Sequence, residues 1–159
     1  MKKLAIWGLV LVALTLALVL PAQAAMIDNQ KLQLPIGWSV WIPCANGGAG
    51  EIVEVTGYLH QTYSITNDGA GGYHVVAHAQ LQGSGIGNIT GDKYQVMSVG
   101  KHNQNTKPPY PYEETNVYSF SIIGKGPGAN YLVHGLWHMT INANGNITSQ
   151  FGNWTSQCK

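Results

Sequence analysis

Arginine is absent from this sequence, and charge of either sign is scarce: eight lysines and seven acids make up 9% of 159 residues. A soluble chain usually carries roughly 25% charged residues. There is accordingly no basic footprint for nucleic acid and no acidic, disordered tail. Cysteine is limited to Cys44 and Cys158. Beyond residue 24 no stretch shows a sustained apolar stripe at helical spacing, which excludes long amphipathic helices. No internal repeat, linker or low-complexity segment interrupts that part of the chain, so one domain suffices.

What is present begins with an address. Lys2 and Lys3 precede an uncharged apolar run from Leu4 to Leu20, and Pro21-Ala22-Gln23-Ala24 closes it with a helix breaker and an Ala-x-Ala pattern. Residues 1–24 read as a cleaved secretory signal peptide. The pattern predicts a secreted or periplasmic protein with no membrane span after cleavage and, since no Cys follows the apolar run directly, no lipid anchor. About 135 remaining residues bury enough surface to fold without a metal. In an oxidising compartment the two cysteines, one near each end of the mature chain, are expected to pair as a structural staple.

Glycine is abundant, at 20 residues, and with five Trp and eight Tyr the composition suits strands and tight turns. Strands are predicted over 51–66, 73–82, 93–102, 115–123, 131–142 and 147–157. They are separated by Asn67 to Gly72, a Gly-rich connection from Gly83 to Gly91, the Pro-rich Asn103 to Tyr112, Gly124 to Gly128, and Asn144-Gly145. Residues 25–50 read as a lead-in whose Trp38 and Trp41 cover one end of the core, and 51–159 as the β domain. Sequential strands joined by short turns predict an all-β fold, an antiparallel meander closing into a β-barrel, with a two-sheet β-sandwich as the alternative.

Histidine is the one chemically suggestive set. Five fall inside predicted strands, His60, His74, His78, His134 and His138, and the sixth, His102, is the last residue of one. Alternation puts His74 with His78, and His134 with His138, on the more polar face of their strands. On a strand a four-residue spacing separates two imidazoles by about 13 Å, so neither pair can share an ion. No metal site is expected; an assembly of His60, His78 and His134 across strands is a weak candidate. Tyr110 and Tyr112, on a Pro-stiffened loop, offer rigid amphipathic area. These five histidines and two tyrosines are the candidate ligand-binding residues. Ser84 lies in no nucleophile elbow, Glu113 and Glu114 point to opposite faces, and the glycine-rich turns open no helix, so no catalytic residue and no cofactor is assigned.

The run Cys44 to Glu51, with Gly57-Tyr58-Leu59-His60, Asp68 to His74, Thr90-Gly91-Asp92-Lys93-Tyr94, Ile123-Gly124-Lys125-Gly126 and Asn142 to Lys159, resembles a group of small exported bacterial proteins. That resemblance spans nearly the whole mature chain, implies one compact exported all-β domain, and carries no established activity. The leading expectation is an exported, non-enzymatic barrel that binds a small apolar or amphipathic ligand. The alternatives are a surface module for glycans or another protein, which a row of Trp and Tyr on an open sheet would favour, and a His-based metal carrier or small enzyme.

Overall fold

A computed structural model describes residues 24–125 and 129–159. The segment read as a signal peptide lies outside the described residues, Ala24 excepted. Seven strands follow one another: β1 (Ala25–Ile42), β2 (Glu51–Asn67), β3 (Tyr73–Gly87), β4 (Lys93–Thr106), β5 (Tyr112–Ile123), β6 (Tyr131–Ile141) and β7 (Ile147–Cys158). They form a single sheet in chain order, each antiparallel to the next. The all-β meander is as expected. The ladder stops at β1 and β7, which do not pair with each other. No helix among the described residues is long and apolar enough to cross a membrane.

The stretch read as a lead-in is largely a strand. β1 pairs with β2 from Ala25↔Asn67 to Ile42↔Glu51. Pro35 in its middle argues against a central strand, but β1 is an edge strand, where a missing N–H on the solvent side removes no ladder bond. β3 likewise runs on to Gly87, through glycines read as a connection. A β-carbon on Gly85 would overlap the Val53 side chain, and one on Gly87 the Glu51 carboxylate. These glycines stay in the strand because the neighbouring side chains fill the space above them.

Alternation along each strand divides the sheet into two faces. One carries Ile42, Val53, Val55, Tyr94, Val96, Phe120 and Ile122, the buried core, with Trp38, Val40, Leu81, Tyr131 and Val133 packed beside it. Contacts on this face skip strands: Trp38 of β1 lies 6.4 Å from Phe120 of β5, centroid to centroid. The sheet is therefore curled, and this is its concave side. Trp38 helps cover the core as expected. Trp41 points to the other side and is 55% exposed.

The expected Cys44–Cys158 disulfide is present, with Cα atoms 5.6 Å apart and 114 residues between them in sequence. It joins the C-terminal ends of the two edge strands and so holds the base of the curl together. Beside it Glu51 is fully buried. Its carboxylate accepts hydrogen bonds from the backbone N–H groups of Ile89 and Thr90 (3.0 Å each), from Thr90 Oγ1 (2.8 Å) and from Tyr94 Oη (2.9 Å). Burial works against ionisation, but the bonds from Thr90, Ile89 and Tyr94 outweigh it and hold the carboxyl below its ordinary 4.5. Burial, with the carboxylate beside it, pushes the Tyr94 phenol up to about 12.

Two outcomes follow for stability. Replacing both cysteines by serine removes the crosslink and lowers unfolding free energy by about 2–4 kcal/mol, read from urea transitions. A depressed folded pKa at Glu51 contributes stability above about pH 4.5 that is lost as pH falls through the lower folded value. Glu51→Gln misaligns the donors and costs roughly 1–3 kcal/mol at neutral pH. It also flattens the loss between pH 4.5 and the acid transition, measured by denaturation across pH.

Candidate binding site on the concave face

Above the core the concave face changes character step by step. Next to Phe120 come Tyr118, Gly100 and Ala79; then Ala77, His102, Asn116 and Trp137; then Gln104, Glu114 and Met139; and at the open rim Thr106 and Tyr112. Small side chains on β3 and β4 leave a recess of about 440 Å³, with Tyr118, Trp137 and Trp154 on one flank and Gln61, His102 and Asn116 among its polar walls.

The aromatic flank depends on a reciprocal arrangement between β6 and β7. Trp154 stands opposite Gly135, and Trp137 opposite Gly152. The six-membered ring of Trp154 lies directly over the Gly135 Cα, where any β-carbon would overlap it, and the Trp137 ring reaches over Gly152. Each glycine thus gives the facing indole a flat seat. Trp154 leans across β6 far enough to meet Tyr118 of β5, 6.1 Å between centroids, yet stays 61% exposed.

The polar wall is one connected network. Tyr112 Oη donates to Glu114 Oε2 (2.5 Å), Asn116 Nδ2 donates to Glu114 Oε1 (2.5 Å), and Asn116 Oδ1 lies 2.6 Å from His102 Nδ1. With the Asn116 amide committed to the carboxylate, its carbonyl faces the imidazole, so His102 Nδ1 carries the proton. His102 Nδ1 also lies 3.5 Å from Glu114 Oε1, the two side chains being 29% and 20% exposed. Burial raises the Glu114 pKa, but the bonds from Tyr112 and Asn116 and the nearby His102 bring it below the ordinary value. Burial and the Glu114 carboxylate push Tyr112 up to about 12. The phenol therefore remains a donor and the carboxylate an acceptor throughout the neutral range.

The five histidines singled out from sequence all lie on the other, convex face, together with the polar positions they were expected to accompany. The β2–β3 hairpin pairs Thr66 with His74, so His60 faces Gln80 and His78 faces Thr62, and the two imidazoles are not directly opposite each other. The cause is the turn, where the Asp68 carboxylate accepts the N–H groups of Ala70 and Gly72 and the strands close at Asn67↔Tyr73. His74 Nδ1 meets Asn105 Oδ1, and His138 sits between Thr115 Oγ1 (2.9 Å) and Thr140 Oγ1 (3.0 Å) with Phe151 beside its ring. His134 lies at register with Ser119 and Thr155. Among the described residues no three His, Cys, Asp or Glu side chains are grouped to hold a metal ion, and His60, His78 and His134 are not brought together as a set. Tyr110 packs over Gly145 in the β6–β7 turn. Of the residues proposed from sequence, Tyr112 alone belongs to the concave network.

His102, Glu114, Asn116, Trp137 and Trp154 were missed. Strand parity carried the signal: His102 shares its face with Tyr94 and Val96, and Asn116 with Phe120 and Ile122, so each is a polar residue on a row that starts in the apolar core. Comparison with family models, with curated proteins and with solved structures found no match to this chain.

The Tyr112–Glu114 bond is open to direct measurement. Ultraviolet titration of the phenols is expected to show a late transition near pH 12 carried by Tyr94 and Tyr112, from which Tyr112→Phe removes one phenol's share and Glu114→Gln moves that share to lower pH.

Proposed function

We propose that this chain is an exported, non-enzymatic protein that holds a small amphipathic ligand in the trough of a barrel left open along the β1–β7 seam. One observation carries the reading: the aromatic side chains of Tyr118, Trp137 and Trp154 stand beside a hydrogen-bonded set of polar groups, His102–Asn116–Glu114, at a recess whose remaining wall is the small side chains Ala77, Ala79 and Gly100. A site of that kind binds an apolar surface on one side and orients it by a few polar groups on the other. Export is supported by the signal-like residues 1–24 and by the single disulfide.

The polar network favours binding over acid–base catalysis. A general acid or base works best with a pKa near the operating pH, whereas Tyr112 is held near 12 and Glu114 below the ordinary carboxylate range. With its partners engaged, Glu114 acts as a fixed acceptor.

Native mass spectrometry of the protein purified from its own host tests the proposal. A co-purified small molecule at one per chain is expected, and it is expected to be lost from the Trp137→Ala/Trp154→Ala double variant. A ligand-free mass, or a ligand retained unchanged by that variant with its disulfide intact, overturns the reading.

A further inference from the structure

We infer that the ligand of the concave trough is an uncharged saccharide, a pyranose ring seated on the Trp154 and Trp137 indoles with its hydroxyl edge toward Asn116, His102 and Gln61. This rests on the small-ligand reading above and names its chemical class.

The indoles supply the first argument. An aromatic ring laid over a glycine has one face occupied by the backbone, so its opposite face is the surface offered to a ligand. Trp154 is fixed in that position over Gly135 and remains 61% exposed. A flat exposed π-face attracts the weakly positive C–H groups of an aliphatic ring lying parallel to it. A pyranose presents such a patch of C–H groups on one side and hydroxyls around its rim.

The polar wall supplies the second. Asn116, His102 and Gln61 are planar groups that combine donor and acceptor atoms, which suits neighbouring hydroxyls that both give and take hydrogen bonds. A fatty acid or sterol would make no use of the Gln61 amide or of the acceptor capacity that the Asn116–His102 pair keeps free, and would find an open trough in place of an enclosed apolar cavity.

Charge supplies the third, because it excludes the other ligands that stack on tryptophan. A nucleotide or single-stranded nucleic acid needs cations for its phosphates. This chain has no arginine, and the one lysine that lines the recess, Lys101, does so from a position whose side chain alternates, like that of Lys93, to the convex face of β4. The one charged acceptor beside the recess, Glu114, repels anions and accepts from hydroxyls.

Calorimetric titration of the whole protein with cellulose-, amylose- and chitin-derived oligosaccharides, with laurate and the apolar dye phenylnaphthylamine in parallel, tests the inference. At least one neutral oligosaccharide is expected to bind. Trp154→Ala is expected to weaken it roughly tenfold, as loss of one stacking partner implies. Gly135→Ala is expected to do the same by unseating the indole, whereas Trp154→Phe retains most of the affinity and His60→Ala on the convex face leaves it unchanged. Binding of laurate or the dye without any oligosaccharide overturns the saccharide class and leaves the small-ligand reading standing. Failure of every probe to bind overturns both. Oligosaccharide binding indifferent to Trp154→Ala places the sugar elsewhere and overturns the assignment to this trough.

Discussion

A seven-strand meander has two edges, and in this protein one covalent bond keeps them together. Cys44 and Cys158 end the two edge strands, whose backbones have no ladder hydrogen bonds to each other. Strand twist alone curls a sheet, and the bond holds the base of that curl narrow enough for side chains from β1 and β5 to touch across it. At that end the concave face becomes a core. Toward the other end the same face opens into a trough, and the gradient from Ile122 through Phe120 and Tyr118 to Asn116, Glu114 and Tyr112 along β5 follows that widening. Glu51 serves the same end by tying the start of β2 to the β3–β4 turn with three hydrogen bonds and to Tyr94 of β4 with a fourth.

Glycine has two distinct uses in this arrangement. On β3, Gly85 and Gly87 give up their side-chain volume to Val53 and Glu51, which lets the base pack closely. On β6 and β7, Gly135 and Gly152 give it up to tryptophans from the facing strand. The first use buries side chains; the second displays them. An indole standing free on an edge strand would sample several rotamers, and ordering it on a ligand would cost side-chain entropy. Seated over glycine, it is ordered before anything binds.

Much of the fold was legible in the sequence. Period-two alternation and turn residues located six strands, and export logic located the disulfide. β1 was hidden because Pro35 and a polar run from Asp28 to Lys31 make it look unlike a strand, and what makes it one is the long partner β2 rather than its own composition. The site was less legible. Attention to histidine as a residue type led to the convex face, where His74 and His138 have neighbours of their own. His102 carried the better signal, a polar residue at apolar parity, but reading it required knowing that β4 continues to Thr106, beyond the expected end at His102. The Trp–Gly pairs depend on β6–β7 register, which the Asn144-Gly145 turn implies only once its two-strand pairing is drawn out residue by residue.

An open seam raises the question of why the two edges do not recruit further strands. Unpaired edges are templates for association, and proteins blunt them with proline, charge and interrupted pairing. β1 carries Pro35, Lys31 and Asp28, together with a register shift near its start. β7 carries almost no charge, but its outward positions alternate Ser149, Phe151, Asn153 and Thr155, and a shift at Ile141 displaces its first residues from regular pairing. Closing the seam with a β1–β7 ladder would remove both edges. The disulfide secures the base without requiring that ladder, so the indole face stays accessible while the fold keeps its circumference fixed at one end. Crosslinking at the base and access to the indoles are thus two consequences of the same geometry.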